Sequence, residues 1–592
     1  MDFETTNIDK GDSRNPYNRI ISCSWDIYHN SRLVESKYST DKEVLSTELI
    51  EDIYSVDFCV AHNAMFEYGW LVRLGVDIAD IDFFCTQIAE YVIAGNRKFN
   101  LSLDGVAERR LGKKKIGLVS LLIKDGICPS EIPSPLLEKY CRQDTRLTHE
   151  IFLQQRQELI DNNLIPVMWT RCITTPALVD ISRNGLHLDA DRVLEENRKY
   201  EREYEEVSKG LAAFAGGVNL NSPKQVSELL YDTLGFSELT DRRGTPIRTA
   251  TDGRKTDIAT ITALTPHNKS QRGFLDLYKR RSKLEAALSK NLRFFRAVVT
   301  ETDDDIFYGN FNQTVTQTHR LSSSGKAVEF ALFDGKKKGI QLQNSPREFK
   351  KLYSSRNKGW KIGEIDGSQL EFRVAAFLGQ DKNAIADITH GVDVHRFTAE
   401  TLTEAGERTS RQDAKSRTFK PLYGGLSGTR AERAYFKAFR EKYSGITNEQ
   451  ERWKIEVERT KKLVTTTGLI FYWPDTKWEG NSKNPYLRNT TSICNFPVQS
   501  FATADIIPIA VVIMWRLLKL LGLKSFIVNT IHDSVIVEIH PDEVEIIREI
   551  GELSFILGVK EYLREVYSID FNVPLDVETK IGDYLDGSSS DG

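Results

Sequence analysis

The alternation of apolar and polar residues at 360–365 predicts a half-buried strand, and the helical spacing of apolar residues at 370–378 predicts a helix after it. Asp366 therefore lies where the predicted strand ends. A carboxylate in such a turn suits a divalent cation that must stay open to phosphate oxygens. The alternative is that Ser368 and Glu371 only form a capping box at the start of the helix.

A second pattern, at residues 526–538, consists of two runs rich in β-branched residues around a very short polar tip. This pattern is typical of a β-hairpin and puts Asp533 at its apex. Taken alone, it fits a surface hairpin with a solvated aspartate. A second carboxylate on a rigid turn would, however, complete a two-metal site built around Asp366.

Between these two patterns, Arg411, Lys415, Phe419 and Tyr423 recur every four residues. Such spacing predicts a stripe along one helix face, with Pro421 kinking or ending the helix near Tyr423. The two cations suit the oxygens of a triphosphate, and the aromatic rings suit a nucleoside. The alternative is an amphipathic helix with a solvated basic edge.

Polar and basic stretches in the middle of the chain suggest contact with nucleic acid. Residues 163–217 have a helical pattern interrupted by an extended segment at 186–189, and a polar loop follows at 243–255. Residues 279–296 then carry seven basic residues and one acidic residue. Together with the hydroxyl-rich stretch 313–325 they could grip a duplex. A helical linker with solvated faces and a polar turn is the alternative.

Acidic residues near the N-terminus suggest a second metal site. Asp2 and Glu4 are two apart, which puts both carboxylates on one face of a strand. Glu67 follows later, and Tyr140 and Asp144 are four apart, which makes them neighbours on a helix.

Length and composition limit the class of protein. The 592 residues are too many for one hydrophobic core, and 40% apolar with 28% charged residues is typical of a globular protein. The longest apolar run, at 506–515, is far shorter than the ~20 residues of a bilayer span, so we expect no membrane segment. The seven scattered cysteines and the absence of a secretory signal predict an intracellular, cytoplasmic location.

Six sequence blocks, taken in order, closely resemble the family A DNA polymerases related to bacterial DNA polymerase I, including phage replicases. The blocks are TQTHRLSS, LQNSPR, DGSQLEFR, the Arg411 to Tyr423 stripe, the Asn495 and Gln499 pair, and HDS. The N-terminal acids resemble the motifs of proofreading 3′ to 5′ exonucleases with four metal-binding carboxylates. The resemblance covers nearly the whole chain.

The resemblance implies an RNase-H-like α/β exonuclease domain followed by an α+β right-hand polymerase domain. We accordingly expect an exonuclease domain at 1–160, a helical connection at 161–225, a thumb at 226–305, a first palm part at 306–394, fingers at 395–484, and a second palm part at 485–592 that ends in a loose tail at 587–592.

The resemblance also implies roles for individual residues. In the polymerase site, the metal ligands would be Asp366, Asp533 and the Gly367 carbonyl, with Asp366, Asp533 and Lys415 as catalytic residues. The incoming nucleotide would contact His395, Arg411, Lys415, Phe419, Tyr423 and Glu371, and the last two would crowd the ribose 2′ position. The DNA would contact Arg320, Asn344, Asn495, Gln499 and His532.

In the exonuclease site, Asp2, Glu4, Glu67 and Asp144 would hold two divalent metals, and Tyr140 would orient the attacking water. Glu67 stands where the family usually has Asp, and the first strand begins almost at Asp2. We therefore expect loosely held carboxylates and impaired editing.

Two further departures shape the expected function. Ser534 stands where bacterial enzymes have Glu, so the two aspartates would have to suffice. The chain shows no 5′-nuclease-type domain, so we expect no primer removal or nick translation. Both departures favour a phage-like origin.

The sequence thus predicts a template-directed DNA polymerase of DNA replication that adds dNTPs to a primer 3′ end by two-metal phosphoryl transfer. It would use primer–template DNA and two Mg²⁺ ions per active site, with Mn²⁺ as a substitute; no processivity factor or helicase can be identified. One alternative is a degradative 3′ to 5′ exonuclease whose C-terminal region only holds duplex, which the pair Asp366 and Asp533 argues against. Another is RNA synthesis on the same fold, which the bulky Glu371 beside Tyr423 argues against.

Overall fold

The computed structural model describes residues 1–220, 222–241, 244–481 and 484–589. The first residue of the predicted loop at 243–255 and the last three residues of the predicted tail at 587–592 lie outside this part of the chain. The described chain divides into two compact units. Unit 1 comprises Met1–Gly185, Asn310–Ser324 and Asn357–Gly592, and unit 2 comprises Leu186–Gly309 and Gly325–Arg356.

The N-terminal segment of unit 1 mixes strands and helices. Its strands are β1 (Asp2–Thr5), β2 (Ile20–His29), β3 (Arg32–Ser39), β4 (Cys59–Ala61) and β5 (Phe83–Cys85). Its helices are α1 (Lys42–Ser46), α2 (Glu48–Ser55), α3 (Ala64–Arg73), α4 (Thr86–Ala94), α5 (Leu103–Leu111), α6 (Gly117–Lys124), α7 (Ser134–Asp161) and α8 (Ile165–Asn184), with short 3₁₀ turns at Ile8–Lys10, Ile78–Asp80 and Pro129–Glu131.

The first strand is firmly held, contrary to our expectation of loose carboxylates. β1, β2 and β3 form an antiparallel sheet, and β4 and β5 form a separate parallel pair. Asp2 pairs with Ser24 and Glu4 with Ser22, and both Phe3 and Glu4 are buried. Hydrogen bonds to β2 therefore anchor the backbone that carries the two acids.

Residues 186–356 run through unit 2, except for the hairpin loop at 310–324 that belongs to unit 1. The strands are β6 (Leu186–His187), β7 (Ile306–Phe307), β8 (Gly309–Asn312), β9 (Ser322–Gly325), β10 (Val328–Glu329) and β11 (Lys337–Lys338). The helices are α9 (Ala190–Ala215), α10 (Pro223–Ser227), α11 (Ile258–Ala263), α12 (Lys269–Ala287) and α13 (Arg293–Glu301), with π-helical turns at Glu228–Thr233 and Leu288–Leu292 and 3₁₀ turns at Ala331–Phe333 and Arg347–Leu352. The predicted helical pattern with its extended interruption is confirmed by α8, β6 and α9.

The basic stretch 279–296 forms the second half of α12, a π-helical turn and the start of α13, and much of its charge is already paired within unit 2. Four of its seven basic residues form ion pairs with carboxylates, at 2.5–3.5 Å. These pairs are Arg280–Glu203, Arg281–Glu285, Lys283–Glu348 and Arg296–Glu201. The pairing favours the interpretation as a solvated, ion-paired helix face.

The C-terminal segment of unit 1 carries the largest sheet of the described chain. Its strands are β12 (Lys361–Gly367), β13 (Lys462–Val464), β14 (Ile470–Tyr472), β15 (Trp478–Asn481), β16 (Asn484–Leu487), β17 (Phe526–Ile531), β18 (Ser534–Ile539) and β19 (Val577–Gly582). Its helices are α14 (Leu370–Leu378), α15 (Lys382–Thr389), α16 (Val394–Glu404), α17 (Arg411–Thr418), α18 (Arg430–Lys442), α19 (Ser444–Thr460), α20 (Thr490–Gln499), α21 (Ile507–Leu520), α22 (Val544–Glu552) and α23 (Val559–Tyr567), with 3₁₀ turns at Pro421–Tyr423 and Pro541–Glu543 and π-helical turns at Ser500–Ile506 and Leu553–Gly558.

The four-stranded sheet has the order β17-β18-β12-β19, and all its neighbouring strands are antiparallel. β12 is an interior strand and is buried on both faces, not on one face as its alternation predicts. One reason is α22, which packs so closely that a Cβ on Gly551 would lie 2.8 Å from Ile365 Cδ1. The tight packing holds the end of β12, and with it Asp366, in a rigid frame.

One helical segment, Thr490–Leu520, is long and apolar enough to cross a membrane by length and composition alone. It extends well beyond the apolar run 506–515, because α20, a π-helical turn and α21 follow one another without a break. The most apolar window of the segment is 83% buried inside the protein. Core helices pass the same test, so the segment is weak evidence for a membrane span.

Candidate functional site

The turn between β17 and β18 brings Asp533 next to Asp366, in a cluster that we call the Asp366 site. The predicted hairpin is confirmed, with His532 and Asp533 as its two tip residues and His532 in the left-handed region at φ 55°. Asp366 pairs with Ser534 across the two strands, and the Gly367 amide donates to the Asp533 carbonyl oxygen at 2.9 Å. Two acids 167 positions apart thus meet at one end of the paired interior strands β12 and β18.

A third acid, Glu364, belongs to the same cluster. The Ser534 hydroxyl lies 3.1 Å from Glu364 Oε1, and the Glu364 side chain is buried. Burial raises the pKa of Asp533, and the charge of Glu364 adds to the rise, whereas His532 and Arg320 oppose it. That the two aspartates suffice stays a prediction, but the structure puts a third acid beside them, which the sequence analysis missed. The signal in the sequence was the spacing of two between Glu364 and Asp366, which puts both side chains on one face of a strand.

Glu371 forms hydrogen bonds with two polar side chains beside these acids. The Tyr423 hydroxyl donates to the Glu371 carboxylate, and Gln499 also forms a hydrogen bond with it. Burial raises the pKa of Glu371, while the positive charge of Arg320 opposes the rise. Arg320 Nη2 in turn lies 3.2 Å from His532 Nδ1. The capping-box interpretation is wrong, since Gln369 is the N-cap residue of α14 and makes no side-chain cap.

The basic and aromatic stripe starts on α17 but does not stay on one helix. α17 ends at Thr418, Phe419 is its C-cap residue, and Tyr423 lies in the 3₁₀ turn that follows. The prediction of a continuous stripe to Tyr423 is therefore wrong. Pro421 explains the early end, because its ring would clash with the carbonyl four residues earlier, that of Arg417.

His395, on α16, faces the stripe. Its Nδ1 lies 2.9 Å from Thr418 Oγ1, and its ring centroid is 5.4 Å from that of Phe419. Burial lowers the pKa of His395, and the positive charges of Arg411 and Lys415 contribute. Arg411 forms an ion pair with Asp393, the N-cap residue of α16.

The remaining predicted DNA contacts differ in their surroundings. Asn495 lies one turn before Gln499 on α20, and its Oδ1 is buried without a hydrogen-bond partner in the described part of the chain. Asn344 belongs to unit 2, where its side-chain amide donates to Gln341 Oε1. Asn344 is therefore not among the residues that unit 1 brings together.

The N-terminal acids form a second cluster, which we call the Asp2 site. Potential ligand atoms of Asp2, Glu4 and Cys141 all lie within 4.8 Å of one another. Glu67 and Asp144 are each only 2% exposed. Burial raises the pKa of Asp144 to about 7, with the charge of Asp2 adding to the rise and that of Lys115 opposing it.

Lys115, which the sequence did not suggest, supplies positive charge to the Asp2 site. Its ammonium group pairs with Asp144 and lies 4.5 Å from the centre of the Tyr140 ring. Glu67 Oε2 and Asp144 Oδ1 are buried without a hydrogen-bond partner in the described chain. Carboxylate oxygens that are buried without a hydrogen-bond partner suit a divalent cation, which prefers oxygen ligands. Such an ion would bind next to the Lys115 ammonium, which already pairs with Asp144.

Comparison with known proteins agrees with the resemblance for most of the chain. The sequence profile of DNA polymerase family A matches residues 190–586, and this chain belongs to that family.

Among curated relatives, DNA polymerase I of Pseudomonas aeruginosa is 27% identical over 554 residues, which cover 89% of this chain and 56% of the relative. The thermostable DNA polymerase I of Thermus filiformis is 29% identical over 433 residues, which cover 69% of this chain and 47% of the relative. The chain thus spans about half the length of the curated relatives it matches.

A solved structure, the POL domain of Pol1 from M. smegmatis in complex with DNA primer-template and dNTP, has the same fold. Its TM-score is 0.71 at 19% sequence identity, and the match covers 99% of this chain and 96% of that one.

Proposed function

We propose that this protein is a template-directed DNA polymerase that adds dNTPs to a primer 3′ end by two-metal phosphoryl transfer at the Asp366 site. The observation that carries the proposal is the register of β12 and β18, which pairs Asp366 with Ser534. In this register the Gly367 amide donates to the Asp533 carbonyl oxygen, so the two aspartates are neighbours. Family membership supports the reaction class, and the M. smegmatis relative was solved with DNA primer-template and dNTP.

Family A polymerases generally use divalent metal ions, and we propose Mg²⁺ here, held by Asp366, Asp533 and the Gly367 carbonyl. Bound there, the ions would activate the primer 3′ hydroxyl and neutralise charge on the transferred phosphate. The burial and like-charge repulsion that raise the pKa of Asp533 fit a site that gains from a bound cation.

The groups around the acids suit the substrates. Arg411 and Lys415 of α17 offer positive charge to the triphosphate oxygens. Lys415 is half-buried, and its charge acts on His395. The hydrogen bond from Tyr423 to Glu371 joins the two side chains that we propose crowd the ribose 2′ position. Arg320, Gln499 and Asn495 would contact the primer–template near its terminus.

We further propose that the Asp2 site is a 3′ to 5′ editing exonuclease whose activity is impaired. Four buried or half-buried carboxylates with two orphaned oxygens support metal-dependent hydrolysis. Two features support impairment. Glu67 is one methylene longer than the Asp usual at this position, and the Lys115 ammonium pairs with one of the proposed ligands.

Extension of a 5′-labelled primer on a template, with Mg²⁺ and either dNTPs or rNTPs, tests the polymerase. We expect extension with dNTPs, little with rNTPs, and loss of extension in Asp366→Asn and Asp533→Asn with DNA binding retained. Asp542→Asn is the matched control, because Asp542 is exposed in the 3₁₀ turn after β18. Either aspartate variant extending at near wild-type rate would refute the assignment.

The same assay without nucleotides tests the exonuclease, with a mispaired primer as substrate. Slow shortening that Asp2→Ala abolishes and Glu67→Asp speeds up is the expected result. Shortening without any extension by dNTPs would instead favour the degradative exonuclease.

A further inference from the structure

Glu364 is a buried acid at the Asp366 site with no role so far. It lies two residues before Asp366 on β12, and its Oε1 is 3.1 Å from the hydroxyl of Ser534, the residue directly after Asp533. Its side chain is 7% exposed. The opposing residue on β19 is Lys580, which pairs with Glu578 at 3.0 Å.

Burying a carboxylate beside other carboxylates is costly, because desolvation and like-charge repulsion both disfavour ionisation. Glu364 is in this position, because its side chain is buried and lies on the same face of β12 as Asp366, two residues away. A neutral residue of similar size, such as Gln, would occupy the same buried position on β12 without this cost. An acid retained in such a position gains most when a cation is bound beside it.

Besides its charge, the Glu364 side chain affects the Asp533 turn through its hydrogen bond with Ser534. Ser534 is the first residue of β18, and its backbone continues directly from the tip that carries Asp533. The Ser534 hydroxyl also lies 3.1 Å from the Ile531 carbonyl oxygen, at the other end of the tip. The single hydroxyl proton of Ser534 is shared between these two acceptors, so Ser534 holds the Glu364 carboxylate against the end of the turn.

We propose that Glu364 is a positioning residue of the polymerase site, which holds the Asp533 turn through Ser534 and adds a third negative charge to the cation site. This inference rests on the proposed polymerase function. The third carboxylate of the site would then stand on β12, next to the residue that follows Asp533 on β18.

The test moves the carboxylate between the two strands. The variants are Glu364→Gln, Glu364→Gln with Ser534→Glu, and the neutral pair Glu364→Gln with Ser534→Gln. Glu545→Gln is the matched control, because Glu545 is an exposed acid in the first turn of α22. Each variant is assayed for the rate of dNTP addition, for melting temperature, and for Mn²⁺ affinity by electron paramagnetic resonance, with dideoxy-terminated primer–template and dNTP bound.

We expect Glu364→Gln to lower both the rate of addition and the Mn²⁺ affinity by roughly 10–100-fold, the usual effect of losing a supporting group at a metal site. The relocated carboxylate should restore a large part of both, and the neutral pair should restore neither. Glu545→Gln should match the wild type. Should Glu364→Gln fail to fold, Ser534→Ala keeps the acid and removes only the hydroxyl beside it, so it should also lower the rate of addition. An unchanged rate in Ser534→Ala would then overturn the positioning role.

Two results would overturn the inference. One is an unchanged rate and Mn²⁺ affinity in Glu364→Gln. The other is equal behaviour of the relocated and neutral pairs, which would make Glu364 a packing residue. An inactive wild-type chain would instead refute the proposed function itself, so the two failures are distinguishable.

Discussion

The Tyr91 ring stacks on the His319 ring, with centroids 4.0 Å apart and planes inclined by 28°. The Tyr91 hydroxyl donates to the Thr316 carbonyl oxygen, and His319 Nε2 donates to the Gly95 carbonyl oxygen at 3.0 Å. His319 has φ 62°, a conformation that costs a residue other than glycine energy. The end of α4 in the N-terminal segment thus holds the loop that carries Arg320.

Replacing Tyr91 with Ala should loosen this loop. Tyr91 is buried, so we expect a loss of about 3–5 kcal/mol in the free energy of unfolding, together with weaker binding of the primer terminus through Arg320. Tyr91→Phe keeps the stacking and loses only the hydrogen bond to Thr316, so it should cost about 1 kcal/mol. Urea unfolding and primer–template affinity measure the two effects. Unchanged primer affinity in Tyr91→Ala would show that Tyr91 does not hold the loop.

His319 should make stability depend on pH. Burial lowers its pKa to about 3, and the charge of Arg171 adds to the decrease. The unfolded chain, with an ordinary histidine pKa of about 6.5, then binds a proton that the folded chain rejects. The contribution is fully present above pH 6.5, and the free energy of unfolding falls by about 1.4 kcal/mol per pH unit below it until about pH 3.

Comparing the wild type with His319→Gln measures this effect. The amide of Gln can still donate to the Gly95 carbonyl but does not titrate. The unfolding free energy of His319→Gln should therefore fall less steeply between pH 6.5 and 4 than that of the wild type. The exposed His390, changed to Gln, is the control and should leave the slope unaltered. Parallel curves for the wild type and His319→Gln would contradict the assignment.

Replacing Lys115 should make the free energy of unfolding depend more strongly on Mg²⁺ bound at the Asp2 site. Lys115→Met removes the ammonium that pairs with Asp144, a group 2% exposed, and we expect a loss of about 3–5 kcal/mol in metal-free buffer. Mg²⁺ should restore more stability in this variant than it adds to the wild type, because the ion replaces the missing positive charge.

Thermal unfolding with EDTA and with Mg²⁺ measures both quantities. Lys113→Met is the control, since Lys113 pairs with Glu150 in an exposed ion pair nearby. An equal response of Lys115→Met and the wild type to Mg²⁺ would show that Lys115 and the metal do not share a site.

Glu371→Ala should relax the exclusion of ribonucleotides. The change opens the space beside Tyr423 and removes the acceptor of its hydroxyl, whereas Tyr423→Phe keeps the bulk and removes only the hydrogen bond. We therefore expect a larger gain in ribonucleotide addition for Glu371→Ala than for Tyr423→Phe. Rates with each dNTP and its matching rNTP give the selectivity. A lower melting temperature with unchanged selectivity in Glu371→Ala would make the pair structural only.

The sequence by itself determined the local elements of the Asp366 site. Period-two alternation before Asp366 and helical spacing after it predicted β12 and α14, and the β-rich runs around Asp533 predicted the β17–β18 hairpin. These features depend on neighbours a few residues away. The sequence predicts a helix that ends near Tyr423, whereas α17 ends five residues earlier, at Thr418. The cause, Pro421, is also a local feature of the sequence.

Only the tertiary structure decided which distant side chains meet. Glu364 reaches Ser534 across 170 residues, and Tyr91 reaches the loop of Thr316 across 225. Lys115 joins Asp144 from a loop whose three consecutive lysines look alike in the sequence. Periodicity shows which face of an element is buried, but strand pairing and the burial of charge select the partner on that face, because only the folded chain removes water from both groups at once.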